Sequence, residues 1–385
     1  MKVAFYAGFG KQMTGGPQVL VSLLRHLPVP PGRKIVLART EGPITALAME
    51  LGCPTYVLGG LERYTEFRRA SGLRRLTLLL VPFELLRFAL RIHRVLRRER
   101  PDVLWVRNIK GVVAVAGGAW LSGTPLVWDI GIEPSPTGIV GWLHALGFRL
   151  ARLVVAEGEN VFARSFPPSL TRRFRHKLRV LPSGLDPAKA RRLEAAARRS
   201  DGRDEFIILS VGTLCRRKNQ GMLLEAVEPL LDRYAHLSVL IVGGEVEPGY
   251  ARALRARHAR SLGTGRVRFL GWRSDVPELM GSAHLLAHVS RNEGVPYVVL
   301  EAFHASLPVV ATRTGGTPDV IADGESGFLV EVNDVAALRS RLTTCIEQPD
   351  IRAALAHNGH RVVQERYTID RWIAAYQHLL EQVAR

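Results

Sequence analysis

The sequence predicts an α/β protein built from two doubly wound parallel sheets, and three observations lead to this prediction. The chain has 385 residues, more than the roughly 250–300 residues that one hydrophobic core usually serves. Its short apolar runs alternate with longer stretches of helical periodicity, which is typical of parallel sheets covered by helices on both faces. This alternation occurs twice along the chain. We therefore expect two Rossmann-like domains, each of which binds ligands at the carboxyl ends of its strands.

The predicted strands are apolar almost throughout, as expected for strands that are buried on both sides. In the first domain they are Val3–Ala7, Lys34–Ala38, Val103–Val106, Leu126–Asp129 and Leu153–Ala156. In the second domain they are Phe206–Val211, Ser238–Val242, Val267–Leu270, Leu285–Val289, Val309–Thr312 and Phe328–Val330. Helical patterns follow the first strand of each domain, at Pro17–Leu27 and Met222–Tyr234.

The boundary between the two domains is predicted from a turn and a change of composition. Pro182-Ser-Gly184 is a turn signal, and the Ala/Arg-rich stretch that follows has the composition of an exposed segment. We expect a first domain over 1–185, a linker over 186–204 and a second domain over 205–365. The tail 366–385 has apolar residues at helical spacing and is predicted to be a closing helix that packs back toward the first domain.

Composition and charge limit the class of protein. The chain has 53 Lys and Arg against 35 Asp and Glu, a net charge of +18. With 47% apolar residues it has enough core-forming side chains to exclude a disordered protein. Three scattered cysteines do not make a disulfide framework and favour a reducing compartment. No apolar run has the length and purity of a membrane span, and the first apolar run is a strand pattern without the features of a signal peptide, so a cytoplasmic protein is expected.

Two glycine motifs follow the first predicted strand. Gly8-Phe-Gly10 begins a dinucleotide fingerprint, but the position of its third glycine is Met13, which disfavours hydride-transfer chemistry. Gly15-Gly16 directly precedes a helical pattern that opens with Pro17. A glycine pair at a helix start brings backbone N–H groups close to an anion, although an ordinary turn has the same residues.

The corresponding turn of the second domain carries three consecutive cations. It runs from Gly212 through Thr213 to Arg216-Arg217-Lys218, between a strand and a helix. Cations at this place favour a diphosphate clamp, and the alternative is a solvated loop.

The strongest motif follows the predicted strand that ends near Val289. It contains Glu293-Gly294 and a predicted helix start near Pro296, with Glu301 about one turn into the helix. Backbone N–H groups at a helix start attract anions, and a carboxylate accepts hydrogen bonds from a vicinal diol. The spacing therefore predicts a phosphate site flanked by two carboxylates, one for a ribose and one for sugar hydroxyls. Either glutamate alone has a simpler explanation as an acid that complements the helix dipole.

These residues resemble the carboxyl-terminal half of family 4 glycosyltransferases. The resemblance rests on Glu293-Gly-x-Pro-x-x-x-Leu-Glu301-Ala, then Leu307-Pro-Val-Val-Ala311 with Gly315-Gly316, and then Asp323-Gly-x-x-Gly327. It extends over nearly the whole chain but is specific only in the second half. The resemblance implies the GT-B fold, in which two Rossmann-like domains face a central cleft. It also implies a hexosyltransferase that uses a nucleotide-sugar donor, retains the anomeric configuration and needs no metal or other cofactor.

The resemblance also implies roles for particular residues. Glu301 would bind the ribose, Lys218 would bind the diphosphate and stabilise the leaving nucleotide, and Glu293 would contact the donor sugar. The catalytic set expected from it is Glu293, Lys218 and Asp129. The donor-binding set expected from it is Gly15, Gly16, Gly212, Thr213, Arg217, Lys218, Trp272, Arg273, Glu293, Gly294, Val295, Pro296, Tyr297, Val298 and Glu301.

The sequence departs from the family pattern at two places. The arginine that often follows the glycine of the diphosphate turn is Thr213 here, and either Arg216 or Arg217 is a candidate replacement. The histidine that many members have after the strand ending at Asp129 is absent. Asp129 or Glu133 is a candidate for its role, and Asp129 has the alternative of a structural residue at a strand end.

The segment Arg63–Arg100 suggests a partner other than the donor. It contains eleven arginines and three acids, 11 − 3 = +8, interleaved with apolar residues. Such a segment favours the surface of an anionic membrane, with a glycan or lipid-linked acceptor at the inner leaflet, and the alternative is an arginine-rich outer face of packed helices. Nucleic acid is disfavoured because no aromatic stacking platform accompanies the charge.

Three functions remain open from the sequence. The first is a retaining glycosyltransferase of polysaccharide or glycolipid synthesis. The second is an epimerase or phosphorylase of the same fold, and the third is a non-catalytic membrane-associated protein on a degenerate fold. His284 and His288 are interpreted as core or lining residues, because no third ligand of zinc-like spacing accompanies them.

Overall fold

A computed structural model of the chain describes residues 1–8, 15–61, 80–131, 133, 137–197 and 205–384. These residues form two compact units. The first unit contains Met1–Glu157, Val161–Leu181 and Trp372–Arg385, and the second contains Gly158–Asn160 and Pro182–Arg371.

The first unit is built on a parallel sheet of seven strands. They are β1 (Val3–Ala7), β2 (Lys34–Ala38), β3 (Thr55–Val57), β4 (Val103–Arg107), β5 (Leu126–Asp129), β6 (Leu153–Ala156) and β7 (Leu178–Val180). Their order across the sheet is β3-β2-β1-β4-β5-β6-β7. The sequence analysis missed β3 and β7, the two edge strands. Each has only three residues and is partly exposed, so neither shows the apolar run that identifies the inner strands.

The second unit is built on a parallel sheet of six strands. They are β8 (Phe206–Val211), β9 (Leu237–Val242), β10 (Val267–Gly271), β11 (Leu285–His288), β12 (Val309–Thr312) and β13 (Phe328–Val330). Their order is β10-β9-β8-β11-β12-β13, and all of them were predicted to within one residue at each end. Both sheets start from a central strand and wind outward in the two directions, so the predicted pair of Rossmann-like sheets is confirmed.

Helices cover both sheets. Those of the first unit are Gly15–His26, Pro43–Glu50, Val81–Glu99, Asn108–Ser122, Gly138–Leu150 and Pro168–Arg173, with short 3-10 helices at Pro31–Arg33 and Arg175–Lys177. Those of the second are Pro187–Ala197, Gln220–Arg233, Tyr250–Arg257, Ala259–Gly263, Val276–Ser282, Tyr297–His304, Thr317–Val320, Val335–Glu347 and Pro349–Arg366. The chain passes between the units four times, after Glu157, Asn160, Leu181 and Arg371. In the described part of the chain, no helix combines the length and the apolar character needed to span a bilayer.

The segment expected to be an exposed linker is mostly a packed helix. Pro187–Ala197 belongs to the second unit and buries Leu193 and Ala196. The carbonyl of Ala196 approaches Gly281 so closely that a Cβ there would lie 2.4 Å from its oxygen. Only one face of this helix is apolar, which is why its overall composition suggested exposure. Residues 198–204 lie outside the described residues.

The end of the chain returns to the first unit. The helix Ile369–Ala384 places Tyr376 in that unit's core, where its hydroxyl bonds to Asp129 and accepts a hydrogen bond from Trp105 Nε1 at 3.1 Å. This confirms the predicted closing helix on the first domain.

Candidate functional site

Three turns meet at one edge of the second sheet. They follow β8, β11 and β12, which are adjacent in the sheet, so parallel pairing brings their carboxyl ends together. The turn after β8 begins at Gly212, where an added Cβ would lie 3.3 Å from Lys218 Cδ. Lys218 therefore folds back over the start of its own turn and toward the turn after β11.

The turn after β12 supports the turn after β11. Gly315 has φ of +53°, and a Cβ on it would lie 1.7 Å from the carbonyl oxygen of Glu293. Gly316 donates its N–H to the carbonyl of Gly294 at 3.0 Å, and the Thr314 hydroxyl donates to the carbonyl of Arg291 at 3.0 Å. Only glycine permits this approach, so Gly315 fixes the backbone that carries Glu293.

Two cations converge on the carboxylate of Glu293. Lys218 Nζ donates to Glu293 Oε1 at 2.6 Å, and an Arg217 guanidinium nitrogen lies 3.1 Å from the same oxygen. Arg217 also donates to the carbonyl of Asn292 at 3.1 Å. Arg216, by contrast, pairs with Glu247 at 2.9 Å. Of the two candidate replacements for the family arginine, Arg217 is therefore the one that lies beside Lys218 and Glu293.

This cluster is buried and strongly polarised. Burial by itself raises the pKa of Glu293, but Lys218 and Arg217 outweigh it and hold this pKa at about 2. Burial and the nearby charge of Lys218 lower the pKa of His288 to about 3, so this imidazole is neutral. Its Nε2 lies 3.6 Å from Glu293 Oε1 and makes no hydrogen bond. The sequence identified His288 only as a lining or core residue; its distance from Glu293 follows from the turn geometry.

The helix Tyr297–His304 begins at this edge, directly after Pro296. The backbone N–H groups of a first helical turn lack intrahelical acceptors and attract negative charge. Val295, Tyr297 and Val298 are at this start, as the motif predicted.

Glu301 lies one turn further into this helix and is 6% exposed. Its Oε1 accepts a hydrogen bond from Lys189 Nζ at 2.5 Å. Sequence reasoning missed Lys189, because it assigned that residue to a linker.

The remaining predicted donor-site residues are less closely grouped. Trp272 is 76% exposed after β10, and Arg273 pairs with Asp275 at 2.5 Å. The carbonyl of Thr213 accepts a hydrogen bond from Gln220 Nε2 at 3.0 Å. In the first unit, the helix Gly15–His26 begins at the predicted Gly15-Gly16 pair.

Asp129 belongs to a buried network of the first unit. Arg107 bonds to one of its carboxylate oxygens and Tyr376 to the other. Burial is the main reason that its pKa is raised, to about 7, although Arg107 opposes the shift. Because both oxygens already have partners, the geometry favours the alternative of a structural residue at the strand end.

Glu133 is also buried, and its Oε2 accepts a hydrogen bond from the Ile109 N–H at 3.1 Å. That oxygen lies 3.8 Å from His144 Nε2. Within the part of the chain that the structure describes, both nitrogens of His144, and Glu133 Oε1, have no hydrogen-bond partner. Neither the role of Glu133 nor that of Asp129 at the transferred sugar follows from this geometry, and both stay predictions.

Among the residues that the structure describes, no three His, Cys, Asp or Glu side chains are grouped in a way that would hold a metal ion. At the edge of the second sheet, Lys218 and Arg217 pair with Glu293, and Lys189 pairs with Glu301. These groups lie beside the start of a helix. Such an arrangement can bind a diphosphate through the cations and hydroxyl groups through the carboxylates.

Comparison with known proteins agrees with this geometry. Residues 205–348 match the family model described as glycosyl transferases group 1. The lipopolysaccharide core biosynthesis glycosyltransferase LpsE of Rhizobium meliloti is 29% identical over 178 residues, 46% of this chain and 50% of the relative. The D-inositol 3-phosphate glycosyltransferase of Corynebacterium jeikeium is 37% identical over 191 residues, 46% of this chain and 45% of the relative. The chain thus spans about half the length of the curated relatives that it matches.

The similarity of fold extends over both units. The crystal structure of Anabaena HepE in complex with UDP and glucose matches 99% of this chain and 99% of its own, with a TM-score of 0.76 and 21% identity. This likeness confirms the predicted GT-B fold of two Rossmann-like domains.

Proposed function

Because residues 205–348 belong to the group 1 glycosyl transferases, we propose that this chain is a retaining hexosyltransferase. It moves a sugar from a nucleotide-diphosphate sugar to a glycan or lipid-linked acceptor in cell-surface polysaccharide or glycolipid synthesis. The observation that carries the proposal is the convergence of Lys218 and Arg217 on Glu293, beside the start of the helix Tyr297–His304.

The donor site is proposed on the second unit. Lys218 and Arg217 bind the diphosphate together with the backbone at the helix start, and Glu301 accepts hydrogen bonds from the ribose diol. Trp272 and Arg273 are proposed to lie beside the base. Glu293 neutralises the two cations. A bound diphosphate takes over that pairing and leaves Glu293 to accept hydrogen bonds from the donor sugar.

The chemistry of the site supports this assignment. Breaking the bond at the anomeric carbon leaves negative charge on the diphosphate, and preorganised cations stabilise it where it develops. Lys218 is held at the turn by its contact with Gly212 and by Glu293, so it is positioned before the donor arrives.

Retention is proposed from the resemblance of the motif around Glu293 to family 4 glycosyltransferases. A donor diphosphate that pairs with Lys218 and Arg217 leaves the carboxylate of Glu293 to accept hydrogen bonds from sugar hydroxyls. We therefore propose that Glu293 orients the donor sugar.

A binding panel tests the function. Isothermal titration of the full chain with UDP, GDP and ADP is expected to show saturable binding of at least one of them. The matching sugar nucleotides are then incubated with a mixed glycan and lipid-linked acceptor extract, and the new linkage is examined by NMR. Transfer with retained configuration supports the proposal. An isomerised donor sugar would identify an epimerase instead, and no binding in the whole panel would favour a non-catalytic protein.

We also propose that transfer needs no divalent metal, because Lys218 and Arg217 already supply positive charge to the diphosphate. Turnover measured with and without EDTA tests this. An activity that EDTA abolishes and Mg²⁺ or Mn²⁺ restores would contradict it.

The first unit is proposed to meet an anionic membrane at the inner leaflet, where a lipid-linked acceptor would be anchored. Phe83, Leu86 and Leu90 form an exposed apolar stripe on the helix Val81–Glu99, and exposed arginines flank it. The neighbouring helix Asn108–Ser122 exposes Trp120 and Leu121. Apolar side chains among arginines suit an interface with anionic lipid headgroups. The part of the Arg63–Arg100 segment between 62 and 79 lies outside the described residues.

A further inference from the structure

A partly buried ion pair links the proposed ribose ligand to a helix that was expected to be part of a linker. Glu301 is mostly buried in the second unit, and Lys189 Nζ donates to its Oε1 at 2.5 Å. Among the described residues, Lys189 is the only cation within ion-pair distance of Glu301. A buried carboxylate needs such compensation, because it has lost its hydration.

The position of Lys189 is fixed by its own helix. The side chain of Asp186 accepts hydrogen bonds from the backbone N–H groups of Ala188 at 3.0 Å and Lys189 at 3.3 Å. This is the geometry of an N-terminal helix cap, which fixes the first turn. Lys189 therefore reaches Glu301 from a backbone that does not need to reorganise.

A second contact fixes the two helices against each other. Glu194, just over one turn after Lys189, pairs with His304 Nδ1 at 3.1 Å. His304 lies three residues after Glu301, at the end of the helix Tyr297–His304. The helix Pro187–Ala197 is thus joined to the helix of Glu301 at two places, and Leu193 between them is fully buried.

From this geometry we infer that Lys189 is a positioning residue for the donor's ribose, which rests on the proposed role of Glu301. It binds Oε1 and so orients the carboxylate with Oε2 toward the ribose hydroxyls. Lys189 itself does not touch the donor in this scheme.

The test compares ribonucleotides with deoxynucleotides. UDP, 2′-deoxy-UDP and 3′-deoxy-UDP are titrated into the full wild-type chain and into Lys189→Met; if UDP does not bind, the same series of GDP or ADP is used. The wild type is expected to prefer the ribonucleotide by about tenfold, the effect of one charge-assisted hydrogen bond. Lys189→Met is expected to reduce this preference to less than about threefold while the deoxy forms bind almost as before. A merely structural loss would weaken all three nucleotides alike.

Two further variants complete the experiment. Arg192→Met is the matched control, because Arg192 is on the same helix but pairs with the exposed Glu278, and it should keep the wild-type preference. Glu301→Gln should lose the preference by itself, and adding Lys189→Met to it should cause no further loss. If Lys189→Met misfolds, Lys189→Arg is tested instead. It keeps the positive charge but places it on a planar guanidinium, and it is expected to retain part of the preference for the ribonucleotide.

Three outcomes overturn the inference. An unchanged preference in Lys189→Met, with wild-type nucleotide binding intact, removes the role of Lys189 and leaves the proposed function standing. Additive losses in the double variant mean that Lys189 acts independently of Glu301. A wild-type chain that binds none of UDP, GDP and ADP removes the inference and the proposed function together.

Discussion

The carboxylate of Glu293 contacts the cations of Lys218 and Arg217 and lies near the neutral imidazole of His288. The proposed reaction requires positive charge at this place. Lys218 and Arg217 both pair with the carboxylate of Glu293. The neutral state of His288 keeps a third positive charge out of the cluster. At this scale, function depends on distances of a few ångströms between turns that are far apart in sequence.

Lys218→Ala is expected to lower turnover more than it lowers nucleotide affinity. A cation that acts on developing charge contributes more in the transition state than in the ground state, and loss of one such group costs about 10²–10³ in kcat. Initial rates and UDP titrations on the same preparation measure both effects. Arg216→Ala is the control from the same turn, since Arg216 pairs with Glu247 away from the cluster. Equal losses in kcat and affinity for Lys218→Ala would contradict this role.

Gly315→Ala is expected to damage the donor site through the backbone. The new Cβ would collide with the carbonyl oxygen of Glu293 and push the turn after β11 out of place. Gly324→Ala is the control, because its φ is also positive, at +79°, but open space surrounds it. The control should cost about 1–2 kcal/mol for the left-handed backbone alone. Gly315→Ala should lower the thermal unfolding midpoint further and weaken UDP binding; equal behaviour of the two variants would mean that the close approach is unimportant.

Asp129 is expected to make the stability of the first unit depend on pH. Its pKa is about 7 in the folded protein against an ordinary value of 3.8, so between these values the folded state holds a proton that the unfolded chain has released. This contribution to stability is fully present at low pH and is lost as pH rises through about 7. Unfolding free energy measured between about pH 5 and pH 8 should fall by up to about 1.4 kcal/mol per pH unit from this group.

Asp129→Asn should remove that slope. Asp232→Asn, which removes an exposed carboxylate paired with Arg260, should leave it unchanged. The same slope in wild type and Asp129→Asn would show that another group is responsible.

At the scale of single elements, the helix Val81–Glu99 has two different faces. Its buried side, with Phe88, Ala89 and Ile92, packs on the helix Asn108–Ser122, where Gly118 leaves room for Ile92. A Cβ on Gly118 would lie 2.5 Å from the Ile92 side chain. The outer side carries the apolar stripe and the arginines. Packing therefore accounts for one face, and the other face has the chemistry of a membrane contact.

Leu86→Glu combined with Leu90→Glu is expected to reduce binding to anionic liposomes. The change removes two apolar contacts and adds two charges that the lipid headgroups repel, so bound protein at moderate salt should drop severalfold in co-sedimentation. Met49→Glu, at another exposed apolar position of the first unit, should have little effect. Unchanged binding of the double variant would place the contact elsewhere.

At the scale of the whole molecule, each unit uses segments from distant parts of the chain. The helix that begins at Ile369 packs in the core of the first unit, where Tyr376 forms hydrogen bonds with Trp105 and Asp129. The second unit contains everything between Pro182 and Arg371 and also Gly158–Asn160. There Asn160 donates to Asp319 at 2.9 Å. The chain therefore passes between the two units more than once.

A chain that ends at Arg371 is expected to lose the first unit selectively. This truncation removes Trp372, Tyr376 and Leu380, which exposes the core of the first unit. It also leaves the buried Asp129 without the hydroxyl group that bonds to it. Hydrogen exchange should become fast in residues 1–157 and stay slow in the second sheet, and UDP binding at the second unit should persist. Tyr376→Phe is the milder control, with the core filled and only the hydroxyl lost. Protection that is unchanged in the first unit would show that the helix is dispensable.

The sequence by itself determined the two sheets and the positions of the motifs. The inner strands are apolar runs, and each motif is a short stretch of the chain, so local pattern singled out Glu293 and Glu301 in one turn and helix and Lys218 in a separate turn. The edge strands β3 and β7 were not predicted, because each has only three partly exposed residues and therefore no apolar run.

Only the tertiary structure decided which groups meet. It paired Glu293 with Lys218 and Arg217 and turned Arg216 away, it placed Lys189 on Glu301, and it enclosed Asp129 between Arg107 and Tyr376. A sequence pattern reports how a residue relates to its near neighbours along the chain. Ion pairs between residues separated by 75 or 112 positions, and a hydrogen bond across 247 positions, depend instead on how sheets and helices pack, because burial and charge compensation are properties of the folded volume.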